Sequence, residues 1–423
     1  MNKTFALKGD ICFSKALTDL EFRENAYLVC ENGKAAGIYG ELPDKYKGIE
    51  VFDYSGKLIC PGMSDIHLHA PQYAYRGLGM DLELLDWLDT ITFPQESRYA
   101  DIEYAKKAYD VFVEDIKHSA TSRAVVFATI HREATEYLME AFDREGMAGF
   151  IGKVNMDRNS PDIYREETKE SAEETVKWLD EVTGKYENVL PIITPRFVPS
   201  CTDELMKELG EIAAKRHLPV QSHLSENLSE IDWVHELAPD SKGYADAYDR
   251  FGLFGTSGKT VMAHCIHMRE DEIGLMKERG IFVAHSPQSN ENLRSGIAPM
   301  RKFLNFGIKC GLASDVAGGS TINMFKAVTD SIQVSKLRWR LVADTERALT
   351  FPEAFFLATK GGGEFFGKVG SFEDGYEFDA LIIDDTSART VLELTIPQRL
   401  ERIMYLGHAG SIIAKWVAGR KLF

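Results

Sequence analysis

The chain has 423 residues, of which 44% are hydrophobic and 27% are charged, and its formal net charge is −16. This composition is typical of a globular protein with one large and one smaller domain, and it excludes a mostly disordered chain. The negative charge argues against a nucleic-acid partner. Neither an apolar run of membrane-spanning length nor a signal-peptide core is recognisable, so we expect a cytoplasmic protein that does not bind membranes.

Residues 1–57 contain short apolar runs and turns. The run Ala26–Cys30 is followed by an Asn-Gly turn at Asn32 and then by another apolar run, a pattern that predicts a β-hairpin. Residues 373–423 look similar, with strand-like runs at 378–383 and 411–417. We therefore predict that both chain ends form one small β-sandwich domain.

Between the two ends, residues 58–372 alternate short β-rich runs with helical stretches, the clearest of which are 168–184 and 203–216. This alternation predicts a parallel sheet, and eight strands predict a (β/α)8 barrel whose functional groups lie at the carboxyl ends of the strands. The predicted strands end near His67, His131, Asp157, Arg196, His223, His264, His285 and Asp315.

The six cysteines include no pair with C-x-x-C spacing, which excludes a zinc knuckle. In a chain that is large enough to build its own core, we expect them to be reduced and mostly buried. They are Cys12, Cys30, Cys60, Cys201, Cys265 and Cys310.

The segment around His67 and His69 is the sharpest chemical signal. Residues i and i+2 of a strand point to the same side, so these two imidazoles can bind one metal ion. His223 and Asp315 follow later apolar runs and complete a predicted ligand set, with His264 beside it. A single histidine after a strand is usually structural, but several such placements together favour a site. Imidazoles with one carboxylate suit zinc, and iron would fit the same ligands.

A single metal ion is expected. Two-metal barrels often use a modified lysine at the end of the fourth strand, whereas the segment 189–197 contains no lysine, and Lys153 lies one strand too early. We therefore predict one divalent ion, zinc in the first instance.

Two carboxylates are candidates for proton transfer. Glu226 lies three residues after His223 and could move a proton between water and substrate, or it could simply begin a helix. Asp315 could be a metal ligand, a base or both, or a turn residue, since Gly318 and Gly319 follow closely.

Three residues are candidates for substrate binding. The amide of Gln72 offers donors and acceptors to a heterocyclic edge. The Arg196 guanidinium could bind a carbonyl oxygen and a ring nitrogen together, and Phe197 could stack on a flat ring. The alternatives are a surface arginine and a core phenylalanine.

These motifs together resemble the amidohydrolase superfamily and, within it, the guanine deaminases. The residues after His264 and the run 285–290 depart from the usual pattern of that family. The resemblance extends from about residue 55 to the C-terminus and is carried by the segments 61–73, 81–94, 193–197, 221–227, 261–264 and 314–319.

The resemblance implies a mechanism in which metal-activated water attacks C2 of guanine and the product is xanthine. Asp315 would take a proton, Glu226 would protonate the ring nitrogen beside C2, and His264 would orient the attacking oxygen. Gln72 and Arg196 would hold the base edge.

The resemblance also implies a homodimer, and it places His69, His223, Glu226 and Asp315 in contact with the substrate. Two alternatives stay open. One is a deaminase of another heterocycle, such as 8-oxoguanine, an adenosine derivative or an aminotriazine. The other is a catalytically silent barrel that serves as an interaction protein.

Overall fold

The structure, a computed structural model, describes residues 4–423. Its strands are β1 Thr4–Ala16, β2 Asp19–Glu31, β3 Lys34–Tyr39, β4 Glu50–Pro61, β5 Met63–His69, β6 Thr121–Phe127, β7 Ala148–Gly152, β8 Val154–Asn155, β9 Val189–Pro191, β10 Thr194–Pro195, β11 Val220–Leu224, β12 Thr260–His264, β13 Phe282–His285, β14 Lys309–Leu312, β15 Ala380–Ile383, β16 Ile412–Val417 and β17 Arg420–Lys421. Its α-helices are α1 Leu84–Trp87, α2 Phe93–Glu96, α3 Ile102–Lys117, α4 Arg132–Glu145, α5 Thr168–Val182, α6 Asp203–Arg216, α7 Leu228–Leu237, α8 Tyr244–Asp249, α9 Glu270–Arg279, α10 Pro287–Asn292, α11 Met300–Phe306, α12 Met324–Leu341, α13 Phe351–Phe356 and α14 Ile396–Leu406.

The strands β5 to β14 form the predicted barrel. They fill eight positions, because β8 continues β7 and β10 continues β9, and each neighbouring pair is parallel. Alternate side chains of these strands point inward, as the period of a strand requires, and Ile66, Val125, Val261 and Phe282 belong to the apolar cluster that they form. The barrel interior is therefore a packed core that supports whatever lies at its rim.

The segment that follows β14 closes the barrel against β5. The backbone N–H of Asp315 donates to the carbonyl oxygen of His67 at 3.0 Å, and the N–H of His69 donates to the carbonyl oxygen of Val316 at 3.0 Å. The first and last strands of the barrel thus meet at the predicted metal ligands.

The predicted strand ends are confirmed to within a few residues. Three of the eight, His223, His264 and His285, lie in the last two residues of a strand, whereas His131 lies beyond the end of β6 and begins the next helix. The helices predicted at 168–184 and 203–216 are α5 and α6. The predicted (β/α)8 architecture is thus confirmed.

Both chain ends join in one seven-stranded sheet with the order β17-β16-β15-β4-β1-β2-β3. The predicted hairpin connects β2 and β3, and Asn32 and Gly33 have φ values of 54° and 78°, as a tight hairpin turn requires. The rings of Phe5 on β1 and Trp416 on β16 stack at 6.3 Å although two strands separate them in the sheet. In a flat sheet they would be about 14 Å apart, so the sheet curls around its own aromatic core.

The sheet and the barrel follow each other without a linker. β4 stays in the small sheet up to Pro61, and β5 begins the barrel at Met63, so that β4 crosses the boundary expected after residue 57. The helix α14 lies between β15 and β16 in the chain and packs against β1 and β2. The domain limits at residues 57 and 372 stay a prediction.

The six cysteines are all free and buried, as predicted. Burial raises the pKa of Cys12 and Cys201 to about 12, which keeps both thiols protonated at neutral pH. Among the helices of residues 4–423, none combines the length and the apolar character that crossing a membrane demands.

Candidate metal centre and substrate pocket

Four side chains from three different strand ends converge at the rim of the barrel. His67 Nε2 lies 3.1 Å and His69 Nε2 lies 3.6 Å from Asp315 Oδ1, and His69 Nε2 lies 3.2 Å from His223 Nε2. All four residues are at most 9% exposed. The structure thus brings together the four residues that the sequence predicts as metal ligands.

The donor set suits a divalent cation. Burial lowers the pKa of His67, His69 and His223, which favours the neutral imidazoles whose lone pairs a metal ion needs. His223 Nδ1 donates to the carbonyl oxygen of Arg196 at 2.6 Å, which leaves its Nε2 as the free lone pair facing His69. Neutral imidazoles and a carboxylate at these separations fit zinc or iron.

Asp315 is ionised despite its burial. Burial alone would raise the pKa of this carboxyl, but the neighbouring His67 and His264 outweigh it and bring the pKa down to about 2. Its side chain faces the imidazoles, whereas the turn that follows is closed by its backbone carbonyl, which accepts from the N–H of Gly319 at 2.7 Å. The turn therefore does not occupy the Asp315 carboxylate.

Glu226 and His264 form the second half of the centre. His264 Nε2 lies 3.3 Å from Glu226 Oε2 and 3.6 Å from Asp315 Oδ2. Its Nδ1 pairs with Asn290 Oδ1 at 2.8 Å, which orients the ring. Burial lowers the pKa of His264, but Glu226 and Asp315 outweigh this and raise it overall. His264 thus sits between the two candidate proton-transfer carboxylates.

The helix that follows Glu226 does not depend on its side chain. Asn227 accepts a hydrogen bond from the N–H of Ser229 at 2.9 Å, and Glu230 closes the capping box of α7. Glu226 instead accepts from the Ser295 hydroxyl at 3.2 Å, and burial raises its pKa to about 7. The structure therefore does not support the interpretation of Glu226 as a helix-start residue, and the interpretation as a proton carrier remains.

A small pocket opens directly beside this centre. Its polar lining includes the predicted substrate residues Gln72 and Arg196 together with His69, Glu226 and Asp315. Its apolar walls come from Leu84, Trp87, Leu88 and Leu293. A small pocket that combines polar groups with apolar side chains suits a flat heterocycle.

Phe197 is not among the side chains that line this pocket. It is buried, and its ring meets Trp233 edge-on at 6.5 Å. Trp87 and the neighbouring leucines supply the apolar wall instead. A contact between Phe197 and the substrate stays a prediction.

A model of the amidohydrolase family matches residues 58–422, which is most of the chain. The chain belongs to the amidohydrolase family.

Individual relatives show which group within the family the chain is similar to. It is 39% identical over 380 residues to the guanine deaminase of Dictyostelium discoideum, covering 88% of this chain and 84% of the relative. It is 36% identical over 423 residues to that of Escherichia coli, with 96% and 92% covered. A crystal structure of the C. acetobutylicum guanine deaminase with bound guanine matches with a TM-score of 0.97 at 44% identity, over 100% of both chains. Within its family, the chain thus groups with the guanine deaminases.

One buried residue of this site escaped the sequence analysis. Glu96 contacts both Gln72 and Arg196, and its side chain is fully buried. It lies in the stretch just after segment 81–94, but a lone glutamate there has no diagnostic spacing. Only its contacts with Gln72 and Arg196 connect it to the pocket.

Proposed function

We propose that this amidohydrolase is a guanine deaminase, which converts guanine and water to xanthine and ammonia. The observation that carries the proposal is that the hydrogen-bond donors of Gln72 and Arg196 line the same pocket as the proton-transfer candidates Glu226 and Asp315. A small ring bound in this pocket can therefore contact the recognition residues and the proton-transfer residues at the same time. The similarity to a guanine deaminase with bound guanine supports the same substrate.

One divalent metal ion would be held by His67, His69, His223 and Asp315, with zinc as the first choice and iron as the alternative. His264 is near enough to Asp315 to contact the same centre. When bound, such an ion supplies Lewis-acid chemistry that makes a water molecule acidic enough to react near neutral pH.

Side chains of the protein carry out the proton transfers and position the attacking oxygen. Asp315 accepts a proton from the attacking water, and His264 holds the oxygen as it approaches C2. Glu226 takes the other proton of the water and delivers it to the ring nitrogen beside C2. It then carries the proton held by Asp315 to the departing amino group. A C–O bond forms at C2 and the C–N bond to the amino group breaks, so that guanine and water are converted to xanthine and ammonia.

The base is held by residues of opposite character. Gln72 and Arg196 face its polar edge, and Leu84, Trp87 and Leu88 cover its apolar surface. A ring that is misplaced by 1 Å reacts much more slowly because the attacking oxygen no longer meets C2. His69 and His223 would touch the substrate from the metal side.

Two further expectations belong to this proposal. A homodimer in the cytoplasm follows from the resemblance and from the composition. The six free, buried cysteines support a reducing compartment.

A substrate panel with ammonia detection tests the activity. Guanine should be deaminated well, and adenine should be a very poor substrate, by about 10⁴-fold in favourable cases, because it presents an amine where guanine presents a carbonyl oxygen. Cytosine, 8-oxoguanine and an aminotriazine complete the panel. If one of these exceeds guanine, the family assignment stands and the assignment of guanine is wrong. If none releases ammonia, the interaction-protein alternative gains support.

A further inference from the structure

Glu96 joins the two recognition residues through a single carboxylate. Its Oε1 accepts from Gln72 Nε2 at 2.7 Å and from Arg196 Nη2 at 3.3 Å, and its Oε2 accepts from Arg196 Nη1 at 2.7 Å. The Glu96 side chain is 0% exposed and that of Arg196 is 3% exposed. Gln72 follows β5 and Arg196 follows β10, so Glu96 ties together two loops that are far apart in the chain.

This arrangement determines which way the Gln72 amide faces. Its NH₂ group meets the Glu96 carboxylate, and its oxygen accepts from the backbone N–H of Ala317 at 3.1 Å. A flipped amide would place oxygen against carboxylate and N–H against N–H, two repulsive contacts instead of two hydrogen bonds. The second N–H of Gln72 has no hydrogen-bond partner among residues 4–423.

Arg196 is constrained in the same way. The bidentate pair with Glu96 uses one N–H from each terminal nitrogen, and a guanidinium has five N–H donors and no acceptor. Arg196 lines the pocket, so the group that it can offer there is a donor. Together with the second N–H of Gln72, these donors form what we call the polar wall of the pocket. Its donors match an oxygen atom of a ligand.

Glu96 also balances the charge of this wall. Arg196 is buried, and a buried cation without a counter-ion is strongly unfavourable. The ion pair with Glu96 neutralises the charge of this wall, and the remaining N–H donors of Arg196 stay available to a ligand. Leu84, Trp87 and Leu88 contribute apolar side chains to the same pocket.

From these contacts we infer that Glu96 is a positioning residue that gives the pocket its preference for a 6-oxopurine. It acts through Gln72 and Arg196 and does not touch the reacting atoms. The inference rests on the proposed function in one respect, namely that the ligand is a purine.

Binding of two unreactive purines to the metal-loaded protein tests this role without turnover. Hypoxanthine carries the 6-oxo group but lacks the 2-amino group that would be released, and unsubstituted purine lacks both. By calorimetry, the wild-type protein should bind hypoxanthine at least about tenfold more tightly than purine, as expected for a hydrogen bond to a charged group. In Glu96→Gln, this ratio should fall below about threefold, since only one of the two recognition residues keeps its partner.

Glu353→Gln is the matched control. Glu353 is also a fully buried glutamate, and it accepts from Arg301 Nη2 at 2.8 Å outside the pocket. The control should lose thermal stability as Glu96→Gln does but should keep the wild-type binding ratio. If both variants shift the ratio equally, or if Glu96→Gln keeps it, Glu96 has no positioning role.

Glu96→Asp covers the case in which Glu96→Gln does not fold. It preserves the charge but shortens the side chain by one methylene, so the Gln72 and Arg196 contacts cannot both be kept at their present lengths. We expect an intermediate ratio, and an unchanged ratio would overturn the inference. A wild-type protein without preference for hypoxanthine also overturns it. Guanine turnover, measured separately, decides the proposed function independently of these ratios.

Discussion

Glu226 and Asp315 are both buried carboxylates, but their neighbours differ. Asp315 is packed against His67, His69 and His264. Of these three histidines Glu226 contacts only His264; it also accepts from the Ser295 hydroxyl, and like Asp315 it lines the pocket. The first is thus placed to bind a metal ion and the second to exchange a proton with a substrate.

Glu226→Gln separates these two roles. We expect the variant to keep its metal ion, because no predicted ligand is removed, and to lose at least about a hundredfold in kcat, the usual contribution of a general acid-base group. Metal analysis and guanine turnover on one preparation measure both. Glu272→Gln, which alters a buried glutamate at the start of α9, is the control and should remain active. Normal turnover in Glu226→Gln would remove Glu226 from the mechanism.

At the scale of elements, two helices contain a glycine with opposite surroundings. Gly210 lies inside α6, and a Cβ atom there would stand 1.8 Å from the carbonyl oxygen of Phe251. Gly274 lies inside α9, and a Cβ atom there would meet nothing within 4 Å. Helix propensity favours alanine at both positions, so only packing distinguishes them.

Alanine substitution at these positions should change stability in opposite directions. Gly274→Ala should raise the free energy of unfolding by up to about 1 kcal/mol, the difference in helix propensity. Gly210→Ala should lower it by about 1–3 kcal/mol, because the backbone of residue 251 must move. Thermal or urea unfolding measures both, and each variant serves as the control of the other. Stabilisation at both positions would show that α6 can move away from Phe251.

At the scale of the whole molecule, the predicted metal centre coincides with the closure of the barrel. His67 and His69 lie at the end of the first barrel strand, and Asp315 follows the last. The same residues join the two strands through backbone hydrogen bonds. A metal ion bound here would link the beginning of the barrel to its end, so that binding supports the fold as well as the reaction.

Removal of the metal ion should therefore lower Tm as well as abolish deamination. A ligand that binds only the folded state stabilises it by about 4 kcal/mol when its concentration is a thousand times Kd. Chelation followed by addition of Zn²⁺ or Fe²⁺ tests this by calorimetry and by ammonia release, and elemental analysis should give about one ion per chain. In His223→Asn, chelation should have little further effect on Tm. Two tightly bound ions per chain would contradict the single-metal prediction.

Sequence alone determined the parts of the protein that depend on local pattern. The alternation of strands and helices predicted the barrel, and the polar residues at strand ends predicted His67, His69, His223 and Asp315, because parallel strands bring their carboxyl ends to one edge. The Asn-Gly turn likewise predicted the first hairpin. In each case, the relevant partners are related by the direct geometry of a strand or a turn.

Tertiary structure alone decided what the side chains meet across long distances in the chain. The pairing of Glu96 with Gln72 and Arg196, the packing of Phe197 against Trp233 and the curling of the terminal sheet all join residues from different elements. Such contacts leave no period or spacing in the sequence, because they depend on how whole elements pack. The sequence thus indicated candidate residues for the chemistry, and the packing of the barrel decided which of them lie together in one pocket.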